Sequence, residues 1–246
     1  MSPERKPPIV IPAAKSSDAA KSSAIIFIHG FGDDAAGIEN IAHQFQSAGK
    51  LPRMKWILPN ALENHELAST AWFFPTSLSP VPSSRPELEE PPDEEGIMDS
   101  VAYITALIDD LVAQGVPEKR IIVGGFSQGH AIAFLTGLVS KYAGKLGGLV
   151  GLSGFLPLSD RISVLREEAG LPKEMSEETE VVLARGTGDR LVPARYHRLC
   201  YERLLQLGIK EENITTREYQ GMGHSMVGTE LRDLCAWLEK VVPDID

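Results

Sequence analysis

Ser127 lies in the sequence setting that nucleophilic catalysis requires. It is the centre of GFSQG at residues 125–129, a G-x-S-x-G pattern with an apolar run before it and a helical run after it. Small residues on either side let a strand turn sharply into a helix, and this turn exposes the hydroxyl at the helix N-terminus. The pattern therefore predicts a serine nucleophile; the alternative is a glycine-rich turn with an incidental serine.

A serine hydroxyl is a weak nucleophile at neutral pH, so a histidine must accept its proton. The chain has six histidines, at positions 29, 43, 65, 130, 197 and 224. His224 lies in GMGHS at residues 221–225, between the last predicted strand and the last predicted helix. A base in that position follows the chain order of hydrolases whose serine lies on a strand-to-helix turn. His224 is therefore the predicted general base.

A carboxylate must orient the histidine, and in this chain order it lies between the serine and the histidine. Asp189 follows the predicted strand Val181–Arg185 through a short Gly-Thr-Gly turn. Asp160 is the weaker candidate, because its neighbours Pro157, Leu158 and Ser159 indicate a surface turn. We predict that Asp189 is the third member of the triad.

The oxyanion formed during acyl transfer needs two hydrogen-bond donors. The residue after the nucleophile supplies one backbone N–H, which here is that of Gln128. The second donor commonly comes from the loop after an early strand, which here is HGFGD at residues 29–33. Its glycines allow the Phe31 amide to face the site, so Phe31 is the second predicted donor.

Short β-branched runs alternate with segments of helical period from Ala24 onward. Candidate strands are Ile25–His29, Lys55–Leu58, Arg120–Gly124, Leu149–Leu152, Val181–Arg185 and Thr215–Tyr219. A stripe of apolar residues with helical spacing is formed by Ile97, Val101, Ile104, Ile108 and Leu111. This alternation predicts an α/β fold with a mostly parallel central sheet and helices on both faces.

The chain has 246 residues, and we predict one α/β domain over residues 24–246. Residues 1–23 are predicted to be a loose lead-in with a short edge strand at Ile9–Ile11. The segment at about 60–96 is rich in proline and begins with aromatic residues. A loop of that length in a compact domain is usually functional or disordered, so we predict a lid-like loop there.

Composition excludes several classes of protein. The net charge is −10, and no basic run is present, so a nucleic-acid partner is not expected. The two cysteines, Cys200 and Cys235, form no metal-ligand pattern and indicate reduced, partly buried thiols. No apolar stretch reaches the length of a membrane span, and the first residues lack a signal-peptide core. We therefore predict a cytoplasmic protein without stable membrane insertion.

Seven motifs occur in a fixed order: HGFGD at 29–33, AWF at 71–73, EEGI at 94–97, RIIVGGFSQG at 120–129, LSGFLPL at 152–158, GDRLVP at 188–193 and GMGHS at 221–225. Together they resemble the acyl-protein thioesterases, within the phospholipase/carboxylesterase group of α/β-hydrolases. The resemblance extends from about Ala24 to the C-terminus.

This resemblance implies a serine hydrolase that removes long acyl chains from protein cysteines and also acts on lysophospholipids and small esters. It implies neither a cofactor nor a metal. Ser127, Asp189 and His224 map onto the family's triad, and Phe31 and Gln128 onto its oxyanion amides. The residues implied to line an apolar acyl channel are Trp72, Phe73, Leu78, Phe155 and Leu191.

The chain departs from the family pattern around that implied channel. The family usually has Leu, Asp, Gly, Trp and His where this chain has Phe31, Phe74, His130, Phe155 and Arg185. Acyl chain length and thioester-over-oxyester preference therefore stay open, as do oligomeric state, transient membrane contact and motion of the loop. The alternatives are a carboxylesterase for small esters and, from another class, a non-catalytic hydrolase-like receptor.

Overall fold

The computed structural model describes residues 5–15, 18–64, 68–74, 93–176 and 178–245. Its main sheet has seven strands, with the bounds Ile9–Ile11 (β1), Ser23–Ile28 (β2), Met54–Leu58 (β3), Ile121–Phe126 (β6), Gly148–Leu152 (β7), Glu180–Gly186 (β8) and Ile214–Tyr219 (β9). Their spatial order is β1-β3-β2-β6-β7-β8-β9. All six predicted strands are present, together with the predicted edge strand.

The sheet is parallel except at one edge. β2 pairs with β3 and β6, and β6, β7, β8 and β9 pair in succession, all in parallel. Only β1 runs antiparallel, with Ile9 opposite Leu58. Because the carboxyl ends of parallel strands meet at the same edge of a sheet, the loops after β2, β6, β8 and β9 lie at one edge. Those loops carry the predicted triad and oxyanion residues.

In the described part of the chain, six α-helices cover the sheet: Ala35–Ser47 (α1), Glu94–Ala113 (α2), Gln128–Val139 (α3), Ile162–Glu168 (α4), Ala194–Gln206 (α5) and Gly228–Val241 (α6). Alternating residues of β2 separate two cores, since Ile26 and Ile28 pack with α2 and α3, whereas Ile25 and Phe27 pack with α1 and α6. This alternation confirms helices on both faces. Among the described residues, no helix combines the length and the apolar character needed to cross a bilayer.

Two segments differ from the sequence expectation. The predicted lid-like loop begins with a separate antiparallel hairpin of Leu62–Asn64 (β4) and Ser69–Ala71 (β5). Residues 65–67 and 75–92 of that loop, including Leu78, lie outside the described residues. The described part of the lead-in is tied to the domain at Pro7, whose carbonyl accepts the Asn60 side-chain amide at 2.8 Å. Tertiary contacts that no local pattern reveals hold the described parts of both segments.

Candidate active site

Ser127 occupies a strained turn between β6 and α3. Its φ is 56° and its ψ is −119°, a backbone conformation that residues other than glycine rarely adopt. The Ser127 N–H donates to the Leu152 carbonyl at 2.9 Å. A Cβ added to Gly129 would collide with the Ile28 carbonyl, and one added to Gly125 would collide with the backbone of Gly129. The two glycines of the motif are therefore required for the chain to double back.

Hydrogen bonds join the three predicted triad side chains in the order that proton transfer needs. Nε2 of His224 lies 2.9 Å from the Ser127 hydroxyl oxygen. Nδ1 of the same imidazole lies 2.9 Å from Oδ2 of Asp189. The hydrogen bond to the Asp189 carboxylate fixes the imidazole tautomer that has its proton on Nδ1, which leaves Nε2 free to accept the serine proton.

The Asp189 side chain is fully enclosed, whereas that of His224 is partly exposed. Oδ1 of Asp189 accepts the N–H groups of Leu191 and Val192, each at 2.9 Å. Burial alone raises the pKa of the carboxyl, but the hydrogen bonds from His224 and the two amides outweigh it and hold the pKa below its usual value. Asp189 is thus an ionised, rigidly held acceptor.

The loops that carry the two predicted oxyanion donors meet at the serine, because a Cβ added to Gly30, the neighbour of Phe31, would lie 3.3 Å from the Ser127 Cβ. Gln128 is the first residue of α3, so its N–H is one of the helix's unsatisfied amides. In the part of the chain that the structure describes, neither this amide nor that of Phe31 donates to a protein acceptor. The loop after β2 is held by the Gly32 N–H, which donates to the Thr70 carbonyl at 2.9 Å. Both amides are available for an anionic oxygen.

The residues implied to bind the acyl chain take different positions. Phe73 and Phe155 contact each other edge to face at 6.2 Å between ring centroids, and Phe155 also contacts Tyr196 at 5.8 Å. We call these three rings the aromatic wall. Trp72 is 2% exposed and lies in the core behind it, and its indole N–H donates to the His29 carbonyl at 2.9 Å. Leu191 is 52% exposed.

The alternative candidates for the triad take no part in the hydrogen-bond chain through Ser127, His224 and Asp189. Asp160 is exposed in a turn. His29 is fully buried, with Nδ1 donating to the Gly30 carbonyl at 2.7 Å and Nε2 accepting the Ala61 N–H at 3.1 Å. Burial lowers the pKa of His130 to about 3, and its Nε2 lies 3.8 Å from the Cys200 sulfur inside the core. His29 and His130 are therefore buried core residues, and Asp160 is an exposed turn residue.

Sequence reasoning missed the second role of Gln128. Its side-chain carbonyl accepts the Trp72 N–H at 3.1 Å, and its amide donates to the Phe73 carbonyl at 3.1 Å. The nucleophile turn is thereby tied to the segment that carries the aromatic wall. Fifty-six positions separate Gln128 from Trp72, and no local motif indicates such a contact.

Glu230, also unnoticed in the sequence, lies at the start of α6 just after the loop that carries His224. It is 1% exposed, and burial raises its pKa to about 7, opposed by the Val227 N–H. Between its ordinary pKa and about 7, the folded chain keeps a proton that the unfolded chain has lost. We therefore expect the free energy of unfolding to fall by roughly 3 kcal/mol as pH rises through this window.

Replacement of Glu230 by Gln tests this expectation, because glutamine stays neutral at every pH. Urea unfolding at pH 5 and pH 8 should show a smaller difference for Glu230→Gln than for the unmodified chain. Glu239→Gln is the matched control, since Glu239 lies on the same helix but pairs with Lys50 at the surface. Equal differences in all three proteins would contradict a buried, proton-binding Glu230.

Comparisons with known proteins agree with this architecture. The sequence profile of the phospholipase/carboxylesterase family matches residues 10–242. Acyl-protein thioesterase 1 of Yarrowia lipolytica is 32% identical over 97% of this chain and 98% of its own length. Acyl-protein thioesterase 1 of Emericella nidulans is 33% identical over 96% and 95%. The crystal structure of Zea mays acyl-protein thioesterase 2 is 25% identical, covers 96% of this chain and 98% of its own, and gives a TM-score of 0.73.

The parallel sheet, its flanking helices and the serine turn define an α/β-hydrolase fold. Within that class, the profile match and the two curated relatives show that the chain belongs to the phospholipase/carboxylesterase family.

Proposed function

We propose that this chain is a serine hydrolase that cleaves long-chain acyl thioesters on protein cysteines, with lysophospholipids as further substrates. Ser127 is the nucleophile, His224 the general base and Asp189 the group that orients it. The observation that carries this proposal is the continuous hydrogen-bond chain from Asp189 through His224 to a serine on a strained turn. Its acyl-protein specificity is supported by the relatives, which are named acyl-protein thioesterases.

The reaction follows from the positions of these groups. Nε2 of His224 takes the hydroxyl proton as Oγ of Ser127 attacks the acyl carbonyl, and the carbonyl oxygen becomes an oxyanion between the Phe31 and Gln128 amides. Asp189 stabilises the imidazolium while it carries the proton. Collapse of the intermediate expels the cysteine sulfur, which His224 protonates, and leaves an acyl-serine. Water, deprotonated by His224, then attacks this ester and releases the fatty acid.

The choice between long and short acyl groups rests on apolar burial. Each methylene group transferred from water contributes about 0.8 kcal/mol, so a long chain gains from a continuous apolar surface. The aromatic wall supplies such a surface near Gln128, and the rings of Phe31 and Phe74 are apolar surface open to solvent. Remote binding energy of this kind is available to accelerate the chemical step.

A series of acetyl, octanoyl and palmitoyl thioesters tests the substrate class. We expect kcat/KM to rise with chain length, by at least roughly tenfold from acetyl to octanoyl, because even partial burial of six methylenes exceeds 1.4 kcal/mol. Ser127→Ala supplies the background rate. A preference for acetyl would favour the carboxylesterase for small esters. Failure of a fluorophosphonate to label the chain would favour the non-catalytic receptor.

We place this activity in the cytoplasm, with acylated proteins or small acyl esters as its partners. Cys200 and Cys235 are both free and buried, which suits a reducing compartment. The exposed rings of Phe31 and Phe74 suit transient contact with an acyl chain at a membrane surface. Fractionation of cells that express the tagged chain, with and without a membrane wash at high salt, tests this placement.

A further inference from the structure

The segment Trp72–Phe74 is held by side chains rather than by a strand ladder. It follows directly after β5, which ends at Ala71. Gln128 binds the Trp72 N–H and the Phe73 carbonyl from the side of the nucleophile turn. Because this segment carries Phe73, its position sets where the aromatic wall lies relative to Ser127.

Helix α2 holds the same segment from the opposite side. Asp93, the residue that caps α2, accepts the Phe74 N–H at 2.7 Å and also the Gly96 N–H at 2.9 Å. Ser100 is fully buried, and its hydroxyl donates to the Trp72 carbonyl at 2.5 Å. A buried hydroxyl keeps one orientation when a second group donates a hydrogen bond to its oxygen. Here that donor comes from the N-terminal segment.

Arg5 supplies this second contact. Its Nη2 donates to Oγ of Ser100 at 3.1 Å, which orients the hydroxyl proton toward the Trp72 carbonyl. The guanidinium carbon also lies 5.4 Å from the Trp72 ring centroid and 4.7 Å from that of Tyr103. Trp72 and Tyr103 are themselves stacked at 6.4 Å. The arginine therefore contacts the ring of Trp72 and, through Ser100, its backbone.

The guanidinium has little freedom to move. Burial lowers the pKa of Arg5 from its ordinary value, with Tyr103 and Asp99 opposing the effect, but an arginine remains protonated throughout the physiological range. The adjoining chain is fixed by the bond from Asn60 to the Pro7 carbonyl. The fixed position of Pro7 therefore holds Arg5 close to Trp72. A planar guanidinium with five donors can hydrogen-bond to Ser100 and stack on aromatic rings at the same time.

We propose that Arg5 is a positioning residue that sets acyl-chain selectivity by holding Trp72 and, through it, the aromatic wall. The proposal rests on the proposed acyl hydrolysis. Arg5 touches none of the triad residues, so its loss leaves the serine turn and the two oxyanion amides in place. It releases the segment that carries Phe73 and so loosens the aromatic wall. A long acyl chain has far more apolar surface to pack on that wall than an acetyl group has, so the loss affects long-chain substrates more.

Arg5→Ala and Arg5→Met, assayed on the acetyl, octanoyl and palmitoyl thioesters, test this inference. We expect kcat/KM for palmitoyl to fall roughly threefold to thirtyfold through a higher KM, as the loss of a partly desolvated cation–π contact implies, with acetyl turnover changed less than twofold. Arg5→Met keeps the apolar stem and removes the Ser100 donor, so it should show the same selectivity change if the alanine variant folds poorly. Arg5→Lys should restore only part of the preference.

Lys6→Ala is the matched control, because the neighbouring Lys6 pairs with Glu63 in an exposed ion pair. It should leave the palmitoyl-to-acetyl ratio unchanged. An equal proportional change on every substrate, or no change at all, would overturn the role of Arg5. Failure of the proposed function is distinguishable, since it appears as an inverted chain-length preference or absent labelling in the unmodified chain, before any variant is compared.

Discussion

Replacing Ser127 with alanine is expected to reduce kcat/KM by roughly 10³-fold or more on every ester and thioester that the chain hydrolyses. The hydroxyl is the atom that the His224 imidazole contacts, at 2.9 Å, and no other group in that hydrogen-bond chain can form the acyl intermediate. Alanine keeps the size and backbone constraints of serine at a φ of 56°, so the melting temperature should change little. Steady-state kinetics and calorimetry measure both quantities.

Ser153→Ala is the matched control for this variant. Ser153 directly follows the neighbouring strand β7, is buried and also has a positive φ of 44°. It therefore reproduces the residue type and the backbone strain without the hydrogen bond to His224. A fluorophosphonate should label the unmodified chain and Ser153→Ala, but not Ser127→Ala. Turnover by Ser127→Ala above the rate of a second triad variant would show that the nucleophile has been misassigned.

The parts of the fold that the sequence predicts are those that depend on local patterns. The G-x-S-x-G motif specifies the turn at Ser127, since only glycine fits beside the Ile28 carbonyl. Asp189 and His224 could be selected because parallel strands bring their following loops to one edge of the sheet. In each case the catalytic residue follows a strand whose apolar pattern is visible in the sequence. The parallel strand order then predicts that residues far apart in the sequence lie close together.

What the sequence does not predict depends on contacts between distant side chains. The bond from Arg5 to Ser100 spans 95 positions, and the bonds from Gln128 to Trp72 and Phe73 span more than fifty. No local pattern in the sequence pairs these side chains with one another. The hairpin β4–β5 is equally unpredictable, because each strand has three residues and, among the described residues, the two strands form a sheet of their own. Tertiary packing determines all of them.

Asp189→Asn is expected to lower kcat by roughly 10³-fold to 10⁴-fold, because the amide group inverts the hydrogen bond to His224. The Leu191 and Val192 N–H groups both donate to Oδ1, so they hold the asparagine carbonyl on their side and turn its NH₂ toward Nδ1 of the imidazole. Nδ1 must then accept, the proton moves to Nε2, and the imidazole can no longer take the serine proton.

The control for that variant is Asp160→Asn, which removes the same charge from an exposed turn and should retain turnover. Because the pKa of Asp189 lies below its usual value, the native carboxylate stabilises the fold above that range and loses this contribution as pH falls through it; the asparagine variant should lack this loss. Raised pH should restore little turnover to Asp189→Asn, since the amide does not titrate. Full activity in that variant would mean that tautomer control by residue 189 is not required.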